Sequence, residues 1–502
     1  MFLIILTLTA AAPDTLWSNV TSGGVYSTVE VGDLDGDNVP DVVSGVNFWD
    51  DQPTLWCLSG VDGDTLWTSG DYKGIYQDEG ITGVPDMNDD GYSDILLVTP
   101  GGYAIPGRCM ILVSGVDGSL IWQWSAYENV PSGAGWGYGC CVMEDQTGDS
   151  LPEFLGGFGS TGSANTSAAV CLDGSAGDTL WTRTTADAVE DVLAVPDVTG
   201  DGVQEACLGI GGSSYTDMTV ELVDGSDGSL LWSREGGGDV MCVAAVDRED
   251  TVPWIVSSSF DGEVRCHNLG GDSLWARDLG GMLLDVEAGP DLNGDGIAEI
   301  AVAGDNAGTL CFDGATGNTL WSYPSGSNTW SVAWADSVYI GGAWTPCIVG
   351  GSVNGKRITF CDAFTGDLIW EQSFTERVYN VSTMYMETLY DSPVVFAGLQ
   401  DQQSQPFHAW AFLSSDGTSV EGPSLDFPPA AIAASPASGI LLLTPPDGEW
   451  TTGVYDLSGR LMWQDVISSE TSVDVSGWSA GCYLLRLNRD DIELRRTVTV
   501  LK

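Results

Sequence analysis

Five nine-residue stretches of this chain put an oxygen-bearing side chain at positions 1, 3, 5 and 9: DLDGDNVPD (33–41), DMNDDGYSD (86–94), DQTGDSLPE (145–153), DVTGDGVQE (197–205) and DLNGDGIAE (291–299). The candidate ligands are Asp33, Asp35, Asp37 and Asp41 in the first, and Asp86, Asn88, Asp90 and Asp94 in the second. The third offers Asp145, Thr147, Asp149 and Glu153, the fourth Asp197, Thr199, Asp201 and Glu205, and the fifth Asp291, Asn293, Asp295 and Glu299. Position 7 adds a backbone carbonyl, from Val39, Tyr92, Leu151, Val203 and Ile297. Alternating oxygen ligands around a Gly-bearing turn let a loop wrap one hard cation, and this all-protein oxygen set suits Ca2+ better than the small octahedral shell of Mg2+. Without a cation, carboxylates at this spacing repel one another. The expected cofactor is therefore Ca2+, at about five sites with a structural role. The related segments at Asp247 (DREDTVPW) and near Asp336 have lost the pattern and are expected to bind nothing.

These loops need elements to hold them. Each runs into a β-rich stretch such as VVSG, ILLV or IAVAG, with neither the flanking helices nor the position-12 Glu of an EF-hand. A Leu/Ile-Trp dipeptide recurs with Trp at 17, 67, 122, 181, 232, 275, 321 and 370, and each copy after the first follows a Gly-bearing turn such as VDGDTLW or ATGNTLW. Alternating apolar runs flank the turn, which is a hairpin signal. Each unit of about fifty residues supplies four short strands and no helical periodicity, the pattern of a propeller blade. The fold class is all-β: an eight-bladed, alternatively seven-bladed, β-propeller over residues 13–423. The unit at 380–421 is degenerate, and the isolated DTLWSNV (14–20) is expected to close the ring by pairing with the last blade.

Two resemblances meet in these repeats. DGATGNTLW (313–321) and DAFTGDLIW (362–370) resemble the tryptophan-docking motif of quinoprotein (PQQ-like) propellers, and the acidic loops resemble the calcium loops of FG-GAP repeats. The first resemblance raises a PQQ-type oxidoreductase as one alternative activity. Adjacent Cys140 and Cys141 are similar to the vicinal disulfide of some PQQ dehydrogenases, though they also fit the apolar first strand of a blade.

Composition bounds the partners. With 71 acidic and 16 basic residues the net charge is −55, which repels nucleic acid and anionic membrane surfaces. The loop ligands carry sixteen of those carboxylates, so five Ca2+ offset only a part of the charge. FLIILTLT (2–9) followed by three Ala reads as a signal peptide over residues 1–12, and no later segment reaches the ~20 apolar residues of a membrane span. Five of the twelve Cys (57, 171, 266, 311 and 361) recur with the repeat as small apolar strand residues, and the absence of C-x-x-C excludes a thiolate zinc site of that spacing.

A Pro/Ala-rich linker (424–438) precedes a module at 439–502 that reads as about six short strands, a small Ig-like β-sandwich. VYDLSGRLMWQ (454–464), DVSGWSAGCYLLRL (474–487) and RRTVTVLK (495–502) resemble the C-terminal sorting domain of the bacterial type IX secretion system. That resemblance implies a Gram-negative cell, recognition by the type IX machinery, and removal of the module with release or surface attachment of the rest.

Catalytic signals are sparse. GWSAG (477–481) matches G-x-S-x-G but lies between strands with no helix after it, so the nucleophile-elbow context is missing. His267 and His408 are the only histidines, and His267 sits in a repeat strand. A polysaccharide lyase on the same propeller would need cationic groups for an acidic sugar, and only ten Lys/Arg precede residue 430. Loops rich in aromatics and Gly, at 47–56, 126–139 and 341–346, offer stacking surfaces for a glycan or protein ligand. No catalytic or organic-cofactor residue is assigned. The sequence reads as a secreted or surface-displayed, calcium-stabilised binding or scaffold propeller, with an extracellular enzyme (lyase or PQQ-type) as the alternative.

Overall fold

The computed structural model describes residues 14–413, apart from the segments 38, 48–52, 101–106, 160–165, 213–217, 250–251, 306, 325–327, 341–342, 386–392 and 401–406, together with strand segments between 432 and 500. The stretch read as a signal peptide, most of the stretch read as a linker and most of GWSAG lie outside the described residues, as do parts of the aromatic loops at 47–56 and 341–346. The chain divides into two compact units, Met1–Gly417 and Thr418–Lys502.

In the first unit the hairpin repeats fold into four-stranded antiparallel sheets. Seven of these are built from four consecutive strands each, with innermost strands Val25–Gly32, Ile81–Val84, Trp136–Met143, Ala188–Val195, Val240–Val246, Leu283–Ala288 and Thr329–Ile340 (blades 1 to 7). An eighth sheet joins Arg377–Tyr385, Pro393–Gln400 and Phe407–Leu413 to the N-terminal strand Asp14–Thr21. Asp14 stands opposite Leu413 and Thr21 opposite Phe407, so the displaced strand closes the ring as its sequence implied. The N-terminal strand thus forms the outermost strand of that last sheet and pairs the edge that Phe407–Leu413 would otherwise leave open.

The core lies between blades. Second and third strands such as Glu205–Gly211 and Ser167–Leu172 are buried along their whole length, because each is covered by a neighbouring sheet on both faces. One such layer packs Cys207, Leu222 and Trp232 against Val240, Val243 and Ile255 of the next blade. The repeat cysteines Cys57, Cys171, Cys266, Cys311 and Cys361 are buried free thiols in these layers, as expected of small apolar residues.

The recurrent tryptophans are the rivets of the ring. The indole N–H of Trp17, Trp67, Trp122, Trp181, Trp232, Trp275 and Trp321 donates to a backbone carbonyl in the turn of the following blade, at 2.6–3.0 Å. Each ring also covers a turn glycine with positive φ. Gly366, at φ +72°, is one, and a Cβ there would meet Trp321 at 2.6 Å. Trp370 instead packs edge-on against Phe360 of its own blade, 5.1 Å away. Replacing Trp321 with Ala removes a large buried ring and leaves the Ala363 carbonyl without its donor. The expected loss is about 3–5 kcal/mol by equilibrium denaturation. A loss below ~1 kcal/mol would mean that docking does not hold adjacent blades together.

The second unit contains a three-stranded sheet (Ile432–Ser435, Ile440–Leu443, Thr471–Asp474) and a four-stranded sheet (Leu461–Ile467, Trp450–Asp456, Gly481–Arg489, Ile492–Val500), both antiparallel. Ile432–Ser435 falls in the stretch read as linker. Four residues between Pro-rich flanks carry no alternating pattern, yet their backbone pairs with Ile440–Leu443.

Candidate functional site: acidic loops and an axial carboxylate cavity

The acidic loops join the first and second strands of blades 1, 2, 3, 4 and 6. All five share one hydrogen-bonding scheme. The position-1 carboxylate accepts backbone N–H groups from within its own loop, as in Gly36 to Asp33 (2.7 Å), Gly91 to Asp86 (2.7 Å), Gly148 to Asp145 (2.6 Å), Gly200 to Asp197 (2.6 Å) and Gly294 to Asp291 (2.7 Å). The position-5 carboxylate accepts the N–H of position 7, as in Val39 to Asp37 and Tyr92 to Asp90. Leu151, Val203 and Ile297 repeat this bond to Asp149, Asp201 and Asp295. In the first loop, oxygens of Asp33, Asp35 and Asp41 converge to within 4.8 Å of one another. The donor set, hard oxygens with no nitrogen or sulfur, fits Ca2+.

Position 9 has a second duty that spacing alone does not reveal. Asp41, Asp94, Glu153, Glu205 and Glu299 are all buried. Asp41 accepts the N–H of Leu34 at 2.8 Å and of Gly60 at 3.0 Å, tying the loop to the third-to-fourth-strand turn of its blade. Asp94 does the same with Met87 and Gly115, and Glu205 with Val198 and Gly225. In blade 5 the corresponding segment carries Arg248, whose guanidinium lies over Trp254 at 4.6 Å, and Glu249 N–H donates to Gly296 of the blade 6 loop.

At the other end of the innermost strands lies a feature the sequence reading missed. A register irregularity recurs near the start of these strands, where one extra residue bulges out: Tyr26, Glu190, Met241, Leu284, Trp330 and Tyr379. Bulges re-aim side chains. In four of these blades the residue after the bulge reaches the backbone of the following blade. Asp191 accepts Val243 N–H at 2.8 Å, Cys242 Sγ lies 3.6 Å from Val286 O, Asp285 accepts Val332 N–H at 2.8 Å, and Ser331 Oγ lies 3.3 Å from Val381 O. These side chains form a polar belt across four consecutive blade interfaces. Blade 2 departs from the pattern, because a 3-10 turn, Asp78–Gly80, precedes its short inner strand. Asp78 there accepts Asn380 Nδ2 at 2.6 Å, while Glu79, Cys242 and Asp285 place ligand atoms within 4.8 Å of one another.

The result is a cavity of about 260 Å³ lined by Tyr26, Tyr76, Trp330 and Tyr379 together with Asp78, Glu79 and Asp285. Tyr26 stacks on Tyr379 at 5.0 Å, and Trp330 meets Tyr379 edge-on at 5.1 Å. Asp78 and Glu79 keep part of their surface open to the cavity while protein surrounds them. Burial pushes Asp78 and Asp191 up to about 7 and Asp285 up to about 6, and the nearby Asp285 carboxylate contributes to the rise at Asp78 and Asp191. Burial also raises Glu190 to about 8, and Glu79 and Glu287 well above the usual carboxylate range. From Tyr26 to Asp33 the inner strand spans roughly 20 Å at ~3.3 Å per residue, so cavity and acidic loops occupy opposite ends of it.

The remaining chemical candidates are spent structurally. His267 is buried beside Trp232, ring centroids 6.0 Å apart, and burial lowers its pKa to about 4. Cys140 and Cys141 are separate thiols, and burial raises both, so neither is a ready nucleophile.

Comparisons with known proteins agree with this architecture. Residues 254–397 match the Lambda-carrageenase beta-propeller domain, and residues 434–500 match the Secretion system C-terminal sorting domain. The quinohemoprotein alcohol dehydrogenase ADHIIG from Pseudomonas putida HK5 is 11% identical, with a TM-score of 0.52 over 85% of this chain and 79% of that one. The quinohemoprotein alcohol dehydrogenase from Comamonas testosteroni is 11% identical, with a TM-score of 0.53 over 86% and 80%. Saccharomyces cerevisiae Sqt1 is 10% identical, with a TM-score of 0.54 over 80% and 99%. At such identities these likenesses are of fold alone. No curated protein matches the sequence. No helix among the described residues is long and apolar enough to cross a membrane. The chain is a secreted or cell-surface β-propeller protein of a Gram-negative bacterium, carrying a C-terminal sorting domain of the type IX secretion system.

Proposed function

We propose that this protein is a non-catalytic recognition module, exported through its sorting domain and a cleaved signal peptide, stabilised by calcium in its five acidic loops, and binding its ligand in the axial cavity. The cavity carries the reading: an aromatic-walled pocket with convergent polar groups is where a propeller can seat a small ligand or one unit of a glycan. The calcium loops, at the far end of the inner strands, stabilise the ring without touching that ligand. Against catalysis, Asp191 and Asp285 already hold neighbouring backbones together, and Cys140, Cys242 and His267 are buried.

Glycoside cleavage is a second reading favoured by one observation. The segment similar to the Lambda-carrageenase propeller supplies Phe260, Leu284, Asp285, Trp330, Ser331 and Tyr379 to the cavity. Its chemistry would use Glu79 as the acid and Asp285 as its partner, oxygens within 4.8 Å. PQQ, a tricarboxylate, does not fit a cavity whose charged lining is carboxylate only, and an acidic sugar for a lyase meets the same repulsion.

The test is a titration of the calcium-loaded full chain with neutral oligosaccharides, amines and peptides, read by tryptophan fluorescence alongside an assay for bond cleavage. The proposal expects saturable binding, weakened at least tenfold by Trp330→Ala, and no turnover. Turnover abolished by Asp285→Asn would establish the enzyme reading instead.

A further inference from the structure

The charged groups in the lining of the axial cavity all carry one sign; Arg377 is not among the lining residues, and its Nη1 donates to the Tyr379 hydroxyl at 3.5 Å. Among the described residues the lining holds three carboxylates, Asp78, Glu79 and Asp285, and no Lys, Arg or His. One amide oxygen of the lining adds to the acceptors: Gln77 donates Nε2 to Glu190 at 3.0 Å and its Oε1 has no partner among the described residues. Asn380, fully buried outside the lining, directs its Nδ2 onto Asp78. A buried acceptor without a donor costs free energy, and adjacent buried carboxylates cost more. An occupant that donates hydrogen bonds and brings positive charge would relieve both costs.

We propose that the cavity is a binding site for a small organic cation, an ammonium-bearing ligand held among the rings of Tyr26, Tyr76, Trp330 and Tyr379 and the carboxylates of Asp78, Glu79 and Asp285. This deepens the recognition-module reading and rests on it. The aromatic walls decide against a bare metal ion. Metal–oxygen distances of ~2.0–2.6 Å would use a small corner of the space and leave the four rings idle. A cation over a desolvated aromatic face gains attraction from the ring quadrupole that a neutral sugar does not. At ~30 Å³ per water-sized group the cavity holds roughly nine such groups, the size of a small amine. The belt orients the floor: Val332 N–H fixes Asp285 from blade 7, and Asn380 fixes Asp78 from the closing sheet. Glu79 stands in the 3-10 turn that enters from blade 2. Contributions from separate blades make the site a property of the closed ring.

The experiment uses the calcium-loaded full chain and two matched probe pairs: choline against 3,3-dimethylbutan-1-ol, and 1,4-diaminobutane against butane-1,4-diol. Binding is followed by tryptophan fluorescence and calorimetry. The expected result is saturable binding of at least one cation, ten times or more tighter than its neutral partner, and reduced at least tenfold in both Trp330→Ala and Asp78→Asn. Asp78→Asn keeps the shape of the side chain, so it serves if Trp330→Ala does not fold. Equal binding of cation and isostere would overturn the charge selection, as would failure of both cations to bind. If neutral oligosaccharides still bind in a Trp330-dependent way, the recognition reading survives and this inference alone falls. Displacement of the cation by excess calcium, with metal bound at the carboxylates, would assign the cavity to a metal and overturn it too.

Discussion

Acidifying the calcium-free propeller from pH 8 to pH 5 raises its melting temperature, and Asp78→Asn raises it at pH 8. Asp78, Asp191, Asp285 and Glu190 have folded-state pKa values pushed up to about 7, 7, 6 and 8. The unfolded values are about 4. Folded chains therefore bind more protons than unfolded ones between pH ~4 and ~8, and stability falls as pH rises through that window. It is present in full below the unfolded pKa and is lost above the folded one. The groups facing Asp78 are the acids Glu79, Asp285 and Glu287 and the neutral Ser27, Ser331 and Asn380, so no cation offsets the charge. A single carboxyl displaced by three units is worth roughly 2–3 kcal/mol across this range, and the interacting set is not a simple sum. That corresponds to several degrees. Differential scanning fluorimetry in EDTA at stepped pH reads it directly. A melting temperature that drops steadily from pH 8 to pH 5 would contradict the buried-charge account.

Removing calcium is expected to have the larger effect at neutral pH. At a free concentration about ten times the dissociation constant, each site contributes about 1.4 kcal/mol, and five independent sites several kcal/mol together. EDTA should lower the melting temperature markedly, and added Ca2+ should restore it where Mg2+ does so poorly. Asp291→Asn, which keeps one acceptor for the Gly294 N–H, should remove about one fifth of the calcium-dependent increment. Because the buried Glu299 still ties Leu292 to the strand, the loop itself should stay folded. Identical melting curves in EDTA and in calcium would refute the structural role.

How much of this was legible in the sequence follows from how local each signal is. The acidic loops and docking tryptophans repeat at fixed offsets from turn glycines. Their positions, and the N-terminal strand that closes the ring, could therefore be read without coordinates. The docking itself, an indole to a carbonyl some forty to fifty residues away, is long-range, and the sequence signalled it only through the likeness of DGATGNTLW and DAFTGDLIW to a docking motif. The axial site was not legible. Asp191 and Asp285 sit in VEDVLAV and LLDVEAG, which look like ordinary blade strands interrupted by an acid. Only the extra residue at each bulge turns the following side chain toward the next blade. Asp78 and Glu79 carry even less signal, because a 3-10 turn and not a strand delivers them. A scan for acids two or three residues into each first strand, taken in register around the repeat, would have singled out Asp191 and Asp285 together.

The most direct test of the calcium scaffold is a count of bound metal. Native mass spectrometry of the propeller purified in calcium, before and after EDTA, should find five Ca2+ per chain, and four in Asp291→Asn. No bound calcium, or a count that Asp291→Asn leaves unchanged, would contradict the assignment of these loops.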